Sequence, residues 1–257
     1  MRALLLERGK IWLDQVEIPV PKSGEALIKV RLAGICRTDL ELAKGYMAFH
    51  GIPGHEFVGE VVDLPVSDLC GRLDLMGTRV VGEINCGCGQ CDLCCAGMQR
   101  HCPTRTVLGI LGRDGALAEY LTLPVENLHL VPDSVNDRAA VFTEPLAAAL
   151  EISEQIHLKP GIRVLVIGDG KLGLLVARVL QIHGCDLLVL GSHESKMAIL
   201  HSWGIAAIHY GNYHPDAHDI VVEASGSPVG FATALTALKP RGTLVLKSTY
   251  HGALTFN

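Results

Sequence analysis

Cys36 and His55 are the side chains early in this chain that are best suited to chemistry. Cys36 stands in Gly34-Ile35-Cys36-Arg37-Thr38-Asp39, and His55 in Gly54-His55-Glu56-Phe57-Val58-Gly59-Glu60. A thiolate and an imidazole nitrogen about twenty residues apart, each near glycine and carboxylate, suit a zinc ion. Two ligands are too few, because a catalytic zinc takes three protein ligands and keeps a fourth position for water or substrate. Taken alone, the two residues equally fit a buried thiol acting as a small hydrophobe and a turn histidine.

A second set follows. Five cysteines crowd between Cys86 and Cys95, and Cys102 comes after them. Cys88, Cys91, Cys94 and Cys102 form a C-x2-C-x2-C-x7-C frame. Two-residue gaps let neighbouring thiolates curl around one ion, and four thiolates close a tetrahedral shell, so a zinc held there is structural. Similar spacing also serves an iron–sulfur centre or leaves unligated thiols. Cys86 and Cys95 fall outside the frame as spare thiols, and Cys70 and Cys185 are expected in cores. The third set is Gly168-Asp169-Gly170-Lys171-Leu172-Gly173, which follows the apolar run Arg163–Ile167 and opens a helix. Strand, glycine turn and helix are the setting of a dinucleotide site. Gly168 makes the turn, Gly170 lets backbone approach a pyrophosphate, and Gly173 allows close helix–strand packing. The helix N-terminus receives the negative charge.

These groups need two kinds of scaffold. The first part of the chain shows short strands at Met1–Leu6, Ile11–Val16, Ala26–Leu32, Phe57–Val62, Thr78–Glu83, Leu117–Leu123 and Asn127–Val131. Glycine and proline separate them, which predicts a partly closed β-domain. Helical periodicity there is weak, apart from a turn or two near Asp39–Lys44. The character changes at Val141-Phe142-Thr143-Glu144-Pro145-Leu146, which leads into an alanine-rich helix over Ala147–Ile156. Pro145 fits a first helical turn, and Glu144 just before it is explained equally well by the helix dipole. Apolar runs at Leu187–Leu190, Ile220–Glu223 and Thr243–Leu246, separated by helical stretches, predict a doubly wound parallel sheet. At the end of its second strand an NAD site usually carries Asp or Glu for the ribose hydroxyls. Gly191 stands there instead and leaves room for a phosphate. Ser192, His193 and Lys196 are placed to meet a 2′-phosphate, so NADP is expected over NAD, although Ser192 also suits a helix cap.

Composition narrows the function classes. The chain has 257 residues, enough for two cores, and a net charge of −5 without a basic run, which argues against nucleic acid and anionic membranes. No apolar run is long enough to span a bilayer, and Met1–Lys10 lacks a signal-peptide pattern. A cytoplasmic, reducing setting is expected, in which nine cysteines point to metal rather than disulfides.

With these motifs together, the chain resembles the zinc-dependent medium-chain dehydrogenase/reductase family, the alcohol, polyol and threonine dehydrogenase group. The resemblance runs from residue 1 to the end. It implies an N-terminal GroES-like β-domain (1–146) with a zinc lobe (about 85–103) and a Rossmann dinucleotide-binding domain (147–257), with chemistry in the cleft between them. It implies a zinc-dependent oxidoreductase that moves hydride between a small alcohol or polyol, or its carbonyl product, and a nicotinamide cofactor. Cys36, His55 and Glu144 are the implied catalytic zinc ligands, although many relatives have cysteine in place of Glu144. Glu56 is the implied adjacent carboxylate and Thr38 the hydroxyl facing substrate oxygen, and two zinc ions per chain are implied in all. Many relatives relay a proton through a histidine where this chain has Glu41, a residue that either relays protons or is simply solvated. The family continues several dozen residues past Asn257, so the chain resembles a C-terminally truncated member that lacks its last sheet strand. That loss is expected to impair catalysis and the family's homo-oligomer. The alternative is a non-catalytic zinc- and nucleotide-binding remnant of such an enzyme.

Overall fold

The computed structural model describes residues 1–65 and 73–249. The chain divides into two units, Met1–Glu144 and Pro145–Asn257. The expected boundary after Leu146 lies in the same helix as this division, Thr143–Gln155.

The first unit is built on a five-stranded antiparallel sheet. Its order is Leu128–Leu130, Arg79–Gly82, Glu56–Asp63, Glu25–Gly34, Tyr120–Pro124. Ala26, Ile28, Phe57, Val61, Val80, Leu121 and Leu123 turn to one core, joined by Leu75, Leu108 and Leu128. Full burial of each such aliphatic side chain is worth about 1.5–3 kcal/mol, which is why the alternating apolar positions set the register. A hairpin, Arg2–Glu7 with Lys10–Gln15, precedes the sheet. Its turn residues Arg8 and Gly9 both have positive φ (49° and 78°), the twist a two-residue hairpin loop requires. The turn or two expected near Asp39–Lys44 is a helix, Arg37–Ala43. A small sheet of Asn85–Cys86, Thr106–Leu108 and Gly112–Arg113 frames the cysteine lobe. Strands this short carry no periodicity, so the sequence did not foretell them.

The second unit holds a parallel five-stranded sheet ordered Ala206–His209, Asp186–Gly191, Arg163–Ile167, His218–Glu223, Leu238–Leu246. Helices Lys171–Ile182, Glu194–Ser202 and Pro228–Ala237 lie between its strands in the chain. The expected doubly wound sheet is therefore present, and strand Ala206–His209, too short and weakly apolar to stand out, completes one side. Val164, Leu165, Val166 and Ile167 are all buried. Helix Lys171–Ile182 packs Val176, Val179 and Leu180 into the core shared with Val164 and Val166. Sequential strands run outward on one side of Arg163–Ile167 and resume on the other at His218–Glu223. That is the switch point where such sheets open a ligand crevice. Ser227 caps the last helix by accepting from the Gly230 N–H at 2.9 Å, with Pro228 in the first turn.

Two expectations shift in detail. The helix expected from Ala147 starts at Thr143, so Glu144 lies inside its first turn and Pro145 is still tolerated because no intrahelical acceptor awaits its missing N–H. Cys185 is half-buried against the core of the second unit, while Cys70 lies outside the described residues. Among the described residues, no helix is long and apolar enough to cross a membrane.

Candidate functional site

Strands Glu25–Gly34 and Glu56–Asp63 are antiparallel partners, and their register sets Gly34 opposite Glu56. Cys36 follows the end of the first strand and His55 precedes the start of the second, so both emerge at one end of the sheet. Cys36 caps helix Arg37–Ala43, where its N–H donates to Asp39 Oδ2 at 2.7 Å and the Asp39 N–H donates back to the Cys36 carbonyl at 3.1 Å. On the other side, Gly54 turns the chain into His55 with φ of 100°, and its carbonyl accepts from the Ala116 N–H at 2.8 Å. A Cβ there would lie 2.8 Å from the Leu117 nitrogen, so no other residue fits without movement.

Ligand atoms of Cys36, His55 and Glu56 all lie within 4.8 Å of one another. His55 is 3 % exposed and Glu56 2 %. Glu56 reaches this position because Gly34 has no side chain: a Cβ there would sit 2.3 Å from Glu56 Oε2 and 3.1 Å from its Cβ. Asp39, to which the sequence reading gave no role, places Oδ1 3.4 Å from His55 Nδ1. Both atoms are buried and neither completes a well-directed hydrogen bond. Burying a charge without a partner costs several kcal/mol, so Asp39 and His55 are held as a mutually dependent pair. Burial alone would push the imidazole down, but Asp39, Cys36 and the charge of Glu144 more than offset it and raise His55 to about 10. Glu144 is half-buried and outside the group that closes to 4.8 Å, though its charge is felt at His55. Soft sulfur, imidazole and carboxylate donors around an under-satisfied buried histidine fit a zinc ion. Thr38 Oγ1 stands 3.9 Å from Cys36 Sγ and is half-buried.

Glu41 is neither solvated nor alone. Its buried carboxylate meets Arg37 at 3.0 Å and Lys44 at 3.1 Å. Burial would raise its pKa, but Lys44 and Arg37 outweigh that and hold the group below the usual glutamate range.

The four cysteines of the spaced frame, Cys88, Cys91, Cys94 and Cys102, also converge within 4.8 Å. Cys88 and Cys94 sulfurs are 4.0 Å apart, Cys91 and Cys102 sulfurs 3.8 Å. The Thr104 hydroxyl and the Cys88 N–H, which approach the Cys102 sulfur at 3.5 and 3.4 Å, bring its pKa down to about 6. Backbone N–H groups of Gln90 and Cys91 lower Cys88 in the same way. Burial instead pushes Cys94 up to about 12, so two of the four sulfurs are favoured as the thiolates a closed metal shell needs and one is not. Cys95 is exposed, whereas Cys86 is buried and pushed up to about 11 by that burial.

In the second unit, two of the three glycines of the turn have a steric reason. Gly168 has φ of 116°, and a Cβ on it would meet Ala224 and Ser225 backbone at 2.8–2.9 Å. A Cβ on Gly173 would lie 2.0 Å from the Gly168 carbonyl, whereas Gly170, the cap of helix Lys171–Ile182, faces open space. Lys171 opens that helix and Leu172 packs partly into the core. Asp169 leaves the turn and crosses to the second strand. Its Oδ2 accepts from the N–H groups of Ser192 (2.9 Å) and His193 (2.7 Å), and its Oδ1 is 3.0 Å from His193 Nδ1. The room expected at Gly191 is therefore taken: a Cβ there would meet Asp169 Oδ2 and Met197 Cγ, each at 2.8 Å. Ser192 does not cap the following helix, which starts after His193 with no side-chain cap. Lys196 is half-buried in its first turn.

Comparison with known proteins agrees with this arrangement. Residues 22–133 match the alcohol dehydrogenase GroES-like domain. L-threonine 3-dehydrogenase from Chelativorans sp. (strain BNC1) is 34 % identical over 245 residues, covering 91 % of this chain and 69 % of that protein. Among solved structures, a protein described as a zinc-binding dehydrogenase from Sinorhizobium meliloti 1021, bound to NADP, has a TM-score of 0.86 at 28 % identity, covering 100 % of this chain and 79 % of its own. The rspB alcohol dehydrogenase from Escherichia coli CFT073, complexed with NADH, has a TM-score of 0.84 at 28 % identity, covering 96 % and 75 %.

Two outcomes are expected at the Cys36–His55 group. Gly34→Ala displaces the Glu56 carboxylate while leaving the strand paired. Zinc affinity there should fall about 10–100-fold, with little change in melting temperature. Metal titration of the two proteins checks this, and equal affinity would rule out a role for Glu56. The second outcome concerns pH. A histidine must lose its proton to ligate, and His55 holds its proton up to about 10 in the metal-free chain. Zinc binding there should therefore release a proton and tighten as pH rises. Calorimetry in buffers of different ionisation enthalpy measures that release.

Proposed function

The chain belongs to the zinc-dependent medium-chain dehydrogenase/reductase family, and from that premise we infer how its own residues serve the reaction. It is an oxidoreductase that exchanges hydride between an alcohol or polyol, or the matching carbonyl compound, and a nicotinamide cofactor. A non-catalytic remnant is not favoured, because the relatives that the chain matches are named dehydrogenases. The observation that carries the reading is the convergence of Cys36, His55 and Glu56 within 4.8 Å at one end of the GroES-like sheet.

Two zinc ions per chain are proposed, one held by Cys88, Cys91, Cys94 and Cys102, and one beside Cys36 and His55. At the second position Glu56 is the nearest third donor, and Glu144, whose charge reaches His55, is the carboxylate that the family pattern assigns to the metal. When bound, zinc supplies Lewis-acid polarisation of the substrate oxygen and the nicotinamide supplies or takes up the hydride.

The protein residues do the rest by positioning. Asp39 faces His55 Nδ1 at 3.4 Å and so fixes the ring orientation, the outer support that metal-binding histidines usually need. The Thr38 hydroxyl, beside the Cys36 sulfur, is proposed to hydrogen-bond the substrate oxygen and to accept or return its proton. Glu41 is tied to Arg37 and Lys44, so it anchors helix Arg37–Ala43, on which Thr38 and Asp39 stand. Gly168, Asp169, Gly170, Lys171, Leu172 and Gly173 are proposed to receive the cofactor pyrophosphate at the start of helix Lys171–Ile182. Which nicotinamide cofactor is used turns on the corner formed by Asp169, Ser192, His193 and Lys196. A cytoplasmic, reducing setting is proposed because four clustered thiols hold a metal only while reduced.

The two thiol sites should fail differently. Cys36→Ser should abolish nicotinamide-linked oxidation of a panel of secondary alcohols and polyols, followed by cofactor absorbance, and leave the melting curve nearly unchanged. Cys91→Ser should lower the melting temperature, because structural zinc contributes directly to folding. A Cys36→Ser protein with undiminished turnover overturns the proposed active site.

A further inference from the structure

The end of the second strand of the parallel sheet is where a dinucleotide site tells NAD from NADP. An acid there pairs with the ribose hydroxyls, and basic groups there accept a 2′-phosphate. This chain has neither arrangement in the strand itself, since the position is Gly191. The volume is nevertheless occupied, because the Asp169 carboxylate fills it from the glycine turn, 2.8 Å from where a Cβ on Gly191 would be.

We propose that Asp169 is the specificity-determining acid of the cofactor site, delivered from the glycine turn instead of the strand end, and that it selects NAD against NADP. The proposal rests on the nicotinamide reading given above. Three observations support it. First, the carboxylate uses the very donors a 2′-phosphate would need: the N–H groups of Ser192 and His193 at 2.9 and 2.7 Å and the His193 ring at 3.0 Å. Second, Asp169 is 4 % exposed and fully engaged, so moving it aside would strand a buried charge. Burial would raise its pKa, but the His193 ring and the two N–H groups outweigh that and keep it ionised. Third, the charges close by in sequence do not favour a phosphate. Between Gly191 and Met197, Lys196 is the one Lys or Arg, and Glu194 lies two residues before it. A doubly charged phosphate entering this corner meets a buried carboxylate that already holds its donors, whereas neutral ribose hydroxyls bring no charge against it and need none of those donors.

Gly191 and Asp169 also exclude each other as acids. A side chain at 191 would overlap Asp169 Oδ2, so the corner holds one carboxylate, from one origin or the other. The sequence expectation of NADP followed from an empty strand end, and this proposal puts NAD in its place.

Calorimetric titration of the purified full chain with NAD+ and with NADP+ tests the proposal. Wild type should bind NAD+ at least tenfold more tightly. Asp169→Asn keeps the shape and removes the charge, and should narrow the ratio at least tenfold, mainly through tighter NADP+. The double variant Asp169→Ala/Gly191→Asp, which returns the acid to the strand end, should restore the NAD+ preference. Tighter binding of NADP+ by wild type overturns the proposal, and so does an unchanged ratio in Asp169→Asn. Binding of neither cofactor overturns the dehydrogenase reading itself and the proposal with it.

Discussion

The register that sets Gly34 opposite Glu56 is the constraint on which the candidate metal site depends. The side-chain period of a strand is two residues, so beyond the register shifts at Leu27/Ile28 and Val30/Leu32 a further slip by one would turn Ile28, Phe57 and Val61 out of their core. That penalty of several buried side chains is far larger than any gain from the site itself. The core therefore decides where Cys36 and His55 emerge, and the further cost lies in burying His55, Asp39 and Glu56 there. The residues that do have to be chosen for the site are the small ones. Gly34 yields space to Glu56, and Gly54 makes the turn into His55.

Within this frame the charges are arranged as a chain of dependence. Asp39 is tied to the backbone of Cys36 at 2.7 Å through one oxygen and faces His55 through the other. A movement of the helix start would thus disturb both the thiol and the imidazole. In the cysteine lobe, Cys88 and Cys102 are stabilised by local N–H groups and the Thr104 hydroxyl, all within a short stretch of chain, while burial raises Cys94. One site is positioned by the sheet and poised by distant carboxylates, the other is wound from a loop. The difference matches an open site that must accept substrate and a closed one that holds the loop together.

Much of this was legible in the sequence because the informative features are local. The four-cysteine frame, the glycine turn after Arg163–Ile167 and the segments flanking Cys36 and His55 each carry their meaning within a short stretch, the longest running from Cys88 to Cys102. What escaped was non-local or too short. Asp39 was visible in its motif, but its contact with His55 exists only after the strands pair. Strands such as Asn85–Cys86 and Ala206–His209 are defined by their neighbours, with too few residues to show alternation. Glu41 looked like a surface carboxylate because one cannot see from spacing that Arg37 and Lys44 enclose it. Gly191 gave no sign of the Asp169 carboxylate beside it, which comes from another segment.

The two candidate sites share a device that explains why glycine is a poor guide to vacancy. Gly34 ends one strand and Gly191 another, and each is overlaid by a carboxylate from a different segment, Glu56 and Asp169. In both cases the acid is almost wholly buried. A carboxylate brought in from another segment ties two pieces of backbone together, which one rooted in the strand itself would not do. Asp169 joins the glycine turn to the segment after the second strand through three donors. Glu56 lies across the end of the neighbouring strand while remaining beside Cys36 and His55. Holding the acid this way restricts its rotamers before any ligand arrives, and preorganised charge is worth more than mobile charge because no reorganisation is left to be done on binding. A strand-terminal glycine beside a functional site should therefore be asked which side chain fills its volume.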